Sequence, residues 1–355
     1  MNITTFEQDK QSYSLPPGFT ARPATLDDVE ITVELLNKVT AQKSGTEQWT
    51  DTLLRTEWTG ESLKIATDTR LAFAPDGELV GYVEAWAPKT PVKTEAWLRV
   101  LPAYAETVGA YLLRWAEARA RQRIAACPPD VQVLFMSSVK TADESDVSLR
   151  KSLGLEPMRY AHLMRIDLDA PPELPPLPEG ISVRTYRHPE DLAAVVEADI
   201  EGFRDHWGFV EPVLEEEIEE WRHRFDTDDI FDPRPMLLAI DDATGNIAAL
   251  ALARQERWSD PSVAYVYTLM TLKPYRRRGL GLALLLRNFK VLYDMGHPNI
   301  VLHVDTESLT GATRLYEKAG MHIHETYVDY AKELRPGKPA MTVDLDTNPE
   351  NEESE

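Results

Sequence analysis

A chain of 355 residues is too long for one ordinary domain and suits two, each with enough length to bury a core. Lys plus Arg total 38 against 59 Asp plus Glu, a net charge of −21, which argues against a general nucleic-acid binder and favours amine-bearing or cationic partners. The single cysteine, Cys127, forms no internal disulfide, and apolar runs such as Ala248–Ala253 fall short of a membrane span. A cytoplasmic protein without a leader or a membrane partner is therefore expected.

In chain order, residues 1–14 read as a tail. Leu15-Pro-Pro-Gly18-Phe-Thr-Ala-Arg22 then opens a first half, in which Thr25 caps a helix carrying Val29, Val33 and Leu36. LAFAPDGELVGYVEAW reads as two strands about a turn at Asp76-Gly77. A strand ending at Val100-Leu101-Pro102 leads past Gly109 into a helix, and a later helix carries Leu149, Arg150 and Leu153. The Pro-rich run Asp169–Gly180 is a stiff linker. Leu177-Pro-Glu-Gly180-Ile-Ser-Val-Arg184 repeats the opening, and Pro189 begins a helix with Leu192, Val195, Val196 and Phe203. MLLAIDDATGNIAALALA repeats the strand pair, with its turn at Gly245-Asn246. The pattern is a tandem duplication: domains over 15–170 and 180–335, a linker over 171–179, and an acidic tail over 336–355.

The chemistry concentrates between Tyr265 and Gly320. YVYTLMTL reads as a strand halting at Pro274; Arg276, Arg277, Arg278, Gly279 and Gly281 follow, and then a helix carrying Leu282, Leu285, Leu286, Phe289 and Leu292, with Gly296 to end it. The first turn of a helix has unpartnered N–H groups and the positive end of the macrodipole, so anions bind there. Glycines let the backbone approach such a ligand, and the arginines add charge. A phosphate or pyrophosphate is the expected ligand. No Gly-Lys-Ser/Thr triplet exists for nucleotide hydrolysis, and Leu284 stands where a dinucleotide fingerprint needs its third Gly or Ala.

Arg276-Arg277-Arg278-Gly279-Leu280-Gly281, preceded by Leu272-Lys273-Pro274, resembles the acetyl-coenzyme A loop of the GNAT N-acetyltransferase superfamily. A second block is similar to the family's later strand and helix: Ile300–Asp305, then Ala312, Leu315, Tyr316, Glu317, Lys318 and Gly320, with Ser308 or Thr310 as N-cap of a helix over Gly311 to Ala319. Leu309 departs from the family's usual Asn, and Ser308 is expected to stand in for it. The resemblance implies an α/β (α+β) fold of two GNAT-like domains, each a mixed, mostly antiparallel twisted sheet flanked by helices. As a tandem chain with one degenerate half, the sequence resembles mycothiol synthase, among others.

The resemblance also implies acetyl-CoA as co-substrate, held by Met270, Thr271 and Leu272 at the strand end, by Arg276 through Leu282, and by Ser308. Tyr316 would donate a proton to the leaving thiolate. The general base is open, with His303 and Asp305 on one strand face as candidates beside Glu256 or a water chain. Asp205, His206 and Trp207, in a helix-to-helix turn, are expected to meet the acceptor, a small-molecule primary amine. In the first half Tyr104 replaces Arg276, Thr107 replaces Gly279 and Arg150 replaces Tyr316, so that copy is expected to keep the fold and lack the chemistry. His322 and His324 lack a third ligand at metal spacing, and no metal is expected. The other function class in play is a non-catalytic acyl-CoA-binding or partner-binding module.

Overall fold

The computed structural model describes residues 14–43, 48–60, 63–228, 230–256, 260, 262–306 and 312–342. The first half runs β1 (Thr20–Arg22), α1 (Val29–Gln42), α2 (Asp51–Thr59), α3 (Ile65–Asp68), β2 (Thr69–Phe73), β3 (Leu79–Trp86), β4 (Lys93–Val100), α4 (Ala110–Arg123), β5 (Val133–Lys140), α5 (Glu144–Ser152) and β6 (Glu156–Asp167). The second half runs β7 (Ile181–Thr185), α6 (Leu192–Phe203), α7 (Leu214–Thr227), β8 (Met236–Asp241), β9 (Ile247–Arg254), β10 (Ala264–Thr271), α8 (Leu280–Asp294), β11 (Asn299–Asp305), α9 (Ala312–Lys318) and β12 (His322–Arg335).

The two compact units are not contiguous in sequence. One takes residues 1–160 and 326–338, with 258–260; the other takes 161–257 and 261–325, with 339–355. The strand order in the first is β1-β2-β3-β4-β5-β12, and in the second β7-β8-β9-β10-β11-β6. Each unit thus receives its sixth strand from the other half of the sequence. β12 lies antiparallel to β5 over Tyr327–Arg335, and β6 lies antiparallel to β11, from Ala161↔Asp305 to Asp167↔Asn299.

Local structure repeats along with topology. Gly18 and Gly180 take positive φ, at 84° and 73°, just before β1 and β7. Arg22 grips Asp28 through two bonds of 2.7 and 2.5 Å, and Arg184 grips Asp191 through two of 2.6 and 2.8 Å. Such forked pairs fix the direction in which the chain enters its first helix. The helix expected to start at Pro189 begins at Leu192; the intervening residues form a turn closed by Leu192 N–H to Pro189 O.

In the second unit the alternation of β9 separates two helical layers. Leu250 and Leu252 pack with Val195, Val196 and Trp221 on the α6–α7 face, while Ala249 and Ala251 pack with Leu280 and Leu284 of α8. Small residues on the α8 side let that helix lie close. Fully buried Asn288 of α8 donates to Pro235 O at 2.5 Å and Ala251 O at 3.2 Å, which fixes α8 against the strands. Truncating Leu250 to Ala would cost about 2–5 kcal/mol by cavity formation.

In both units the one parallel pairing, β4 with β5 and β10 with β11, is short. β4 and β5 pair from Lys93↔Leu134 to Glu95↔Met136; β10 and β11 pair only at Ala264↔Ile300 and Tyr265↔Val301. Beyond Tyr265 the strands part. The register of β10 against β9 shifts between Val266 and Thr268, a bulge that re-aims the residues after it.

Candidate active site

After β10 the chain makes a short turn over Lys273–Tyr275, and α8 begins at Leu280. Between them Arg277 and Gly279 take left-handed φ values of 60° and 78°. The first costs about 1 kcal/mol or more for a side chain of that size. Among the described residues, no backbone N–H from Arg277 to Leu282 donates to a protein acceptor; the first to do so is Ala283, to Gly279 O at 3.1 Å. Alternating right- and left-handed residues at a helix start turn successive N–H groups toward one point, a concavity that takes an anion. At Gly279 the requirement is φ, since a Cβ there would meet nothing within 4 Å. At Gly281 it is space, since a Cβ would sit 3.3 Å from Leu315 Cδ1 and 3.5 Å from Thr271 Oγ1.

The arginines divide their work. Arg276 turns inward: Nε donates to Thr271 O at 2.8 Å, Nη1 to Asp205 Oδ2 at 2.6 Å, and Nη2 to Asp205 Oδ1 at 3.2 Å and Gly202 O at 3.4 Å. The fork fastens the turn to the end of α6 and engages Asp205, whose carboxyl it holds below the usual range against the opposing effect of burial. Arg278 reaches Glu179 O at 3.2 Å, and the exposed Arg277 lies beside the concavity.

Tyr316 of α9 is 7% exposed, within the cluster of Leu285, Phe289, Leu302 and Val304. Burial, with the Tyr265 phenol adding to it, pushes its hydroxyl well above the ordinary tyrosine range. That hydroxyl has no hydrogen-bond partner among the described residues. A phenol of this kind stays protonated at neutral pH.

Toward α6 and α7 the parted strands present a polar group. His303 Nδ1 lies 3.1 Å from the Tyr265 hydroxyl. Asp305 shares the His303 face of β11 and acts electrostatically on His206, whose pKa burial lowers and the neighbouring Asp205 raises. The His206 Nδ1 is 3.3 Å from Asp205 Oδ1 without hydrogen-bond geometry, and its ring lies tilted by 52° to that of Phe203, with centroids 4.7 Å apart. Trp207 follows in the same loop. Chain beyond β12 holds this loop: Gly208 N–H donates to Thr342 O at 2.8 Å, Thr342 N–H to Phe209 O at 3.0 Å, and Thr342 Oγ1 to Arg204 O at 3.1 Å.

At the end of β10, Met270 packs so closely on α6 that a Cβ at Gly202 would lie 2.7 Å from its sulfur. Thr271 faces Gly281, Leu272 continues the α6–α7 cluster, and Leu282 and Leu315 join the cluster around Tyr316. Ser308, Leu309 and Thr310 lie outside the described residues.

One carboxyl was not singled out from the sequence. Asp199 of α6 accepts from Thr268 Oγ1 at 3.2 Å, and its pKa is pushed up to about 7, chiefly by burial and further by Glu217 of α7, against the Thr268 bond. The available signal was its place on the helix's inner stripe, three and four residues after Val196 and Val195.

The sequence pattern of the acetyltransferase (GNAT) family matches residues 195–321, from α6 to the end of α9. A crystal structure of a GCN5-related N-acetyltransferase from Sphaerobacter thermophilus superposes with a TM-score of 0.74 at 29% identity, covering 92% of this chain and 99% of that one. Residues 195–321 carry the GNAT family's pattern, on a fold similar to that of the Sphaerobacter protein. A tandem GNAT protein of the clavulanic acid biosynthesis pathway shares the fold at 16% identity, TM-score 0.66, over 90% of this chain and all of its own. Among curated relatives, a mycothiol acetyltransferase of Salinispora arenicola is 31% identical over 195 residues, 53% of this chain and 60% of that protein. Another, from Rhodococcus erythropolis, is 28% identical over 200 residues, 54% of this chain and 63% of that protein. The matches span less than two thirds of these relatives' length.

The GNAT loop has a different form in the first unit. No residue from Pro102 to Ala110 has positive φ; Ala105–Gly109 is a wide helical turn that runs straight into α4. Arg150 is 2% exposed, with Nε and Nη2 each 3.3 Å from Ser137 Oγ of β5 and Nη1 donating to Asp146 O at 3.2 Å. In the sequence repeat Arg150 stands at the position of Tyr316, and its guanidinium is buried against Ser137 and Asp146.

Proposed function

We propose that the protein is an acetyl-CoA-dependent N-acetyltransferase acting on the primary amine of a small molecule in the cytoplasm, with the chemistry in the second unit. The observation that carries this reading is the open start of α8, where the N–H groups from Arg277 to Leu282 have no partner among the described residues, beside strands that part after Tyr265. That concavity fits a pyrophosphate in size of charge and in donor chemistry. Acetyl-CoA supplies an activated thioester. The residues from Arg277 to Leu282 hold its phosphates, the strand end before Leu272, whose own N–H is bonded to Ala248 O at 3.0 Å, offers backbone N–H to the developing oxyanion, and Tyr316 gives a proton to the departing sulfur. The names of the mycothiol acetyltransferase relatives support a small-molecule acceptor.

The test is acetyl-CoA titration with coenzyme A release over a panel of amines, comparing Gly281→Glu with Thr107→Glu. Glutamate at 281 crowds Leu315 and Thr271 and sets a like charge beside the concavity, and should weaken acetyl-CoA binding by about 100-fold or more. Thr107 is exposed at the corresponding turn of the first unit, and its substitution should leave binding unchanged. Equal losses from the two variants would remove the assignment to the second unit.

A further inference from the structure

We infer that Asp199 is the proton acceptor for the incoming amine, seated between α6 and the bulged strand β10. This rests on the acetyl-transfer reading above. A primary amine reaches the site as an ammonium ion and attacks only after losing a proton, so the site needs a base near the oxyanion donors. The bulge before Thr268 turns both Thr268 and Met270 toward α6, where Thr268 ties Asp199 to the strand that carries those donors. The other Asp199 oxygen has no partner among the described residues, and the residue as a whole is half-buried, neither sealed in the core nor open to solvent.

The competing groups are engaged. Asp205 is clamped by Arg276, Glu217 accepts from Trp221 Nε1 at 2.9 Å, and His303 is bonded to Tyr265. Glu217 on α7 acts on the Asp199 carboxyl, and Asp199 acts in turn on Tyr267 of β10, which Arg224 on α7, Arg254 on β9 and Tyr186 after β7 also face. Arg254 is paired with Asp228 at 3.0 Å, so no cation among the described residues is paired with the Asp199 carboxyl. An ammonium ion would supply the missing positive charge.

The step balances as follows. The ammonium gives one proton to the Asp199 carboxylate; the freed nitrogen lone pair forms the C–N bond to the acetyl carbon; and the C–S bond breaks with its electron pair on sulfur. The second nitrogen proton reaches sulfur through the Tyr316 hydroxyl, giving amide and free thiol. Asp199 then releases its proton to solvent, and one proton is lost per turnover.

The experiment uses the full chain. Carboxyl-carbon NMR of protein labelled at aspartate, with Asp199→Asn to assign the signal, reads the titration directly and needs no turnover. The Asp199 signal is expected to titrate near neutrality, and titration in the ordinary carboxylate range would overturn the role. In parallel, pH profiles of kcat/KM are taken with glucosamine, cysteamine and spermidine as probe amines. Asn at 199 keeps the volume and an acceptor for Thr268, so acetyl-CoA affinity should stay within about twofold. Its kcat/KM at neutral pH should fall about 10²–10⁴-fold, with the neutral inflection lost. Unchanged kcat/KM in Asp199→Asn would sink the base while acetyl transfer stands. Absence of wild-type turnover with every probe would sink the acetyl-transfer reading, and the base with it.

Discussion

In the proposed mechanism Tyr316 and Asp199 have opposite tasks, and their environments move their proton affinities in the matching directions. The phenol is held protonated by burial, and the carboxyl is raised to about 7, so one group is always loaded and the other exchanges a proton near neutrality. Tyr316→Phe keeps the apolar contacts of α9 and removes only the hydroxyl. It should lower kcat by about 10²-fold or more while acetyl-CoA affinity holds, and an unchanged kcat would take Tyr316 out of the mechanism. Asp199 also predicts a stability signature. A carboxyl with a raised folded pKa contributes stability that is fully present below its unfolded value and is lost as pH rises through about 7. Asp199→Asn should therefore raise the Tm at pH 8, by on the order of 5 °C, and lose that advantage near pH 4. Equal Tm differences at both values would mean that the carboxyl is not strained when charged. Motif spacing marks Tyr316 and Gly281 as candidates in the sequence. It does not mark Asp199, because one acid on an amphipathic helix gains its meaning only from what the helix packs against. For Arg276 the sequence indicates a phosphate ligand, whereas in the fold its guanidinium turns inward to Asp205; charge can be read from sequence, and side-chain direction cannot.

Strands and tight turns followed the sequence well, since period-two alternation and glycines at Gly77 and Gly245, both at positive φ, leave few alternatives. Helix starts were less legible. Pro189 precedes α6 by a turn, and the wide turn over Ala105–Gly109 has no sequence signature. Nor did any pattern mark Thr342, which holds both sides of the loop carrying Asp205, His206 and Trp207. Each such bond contributes about 0.5–1.5 kcal/mol, enough together to bias the loop's position without deciding whether the unit folds. A chain ending at residue 340 should therefore raise KM for the amine severalfold, with acetyl-CoA affinity and Tm nearly unchanged. A parallel loss of acetyl-CoA binding would show that the segment supports the whole unit instead of the acceptor side.

At the scale of the molecule, a duplicated sequence suggests two blocks in series, and the strand pairing gives a different partition. In the first unit β12 supplies Val328 and Tyr330 to the core, and its Lys332 reaches Glu117 at 3.1 Å. In the second, β6 covers the full length of β11, the strand that carries His303 and Asp305, and adds Met164 and Ile166 to the Tyr316 cluster. Sequence reading had no access to this exchange, because strand patterns report which face is buried and carry no label for the neighbouring strand. Cutting in the linker near residue 175 leaves each piece short of one strand. The bare edge of β5 or β11 then offers unpaired backbone groups and apolar side chains, the condition for aggregation. A fragment of residues 176–325 should accordingly be insoluble or fail to bind acetyl-CoA. A fragment of 156–325, longer only by β6 and the linker, should bind it with an affinity near that of the full chain. Equal binding by both fragments would show that β6 is dispensable to the site. Co-expressing 1–175 with 176–355 restores both missing strands and should return binding, since the exchange requires two sequences and no covalent link between them.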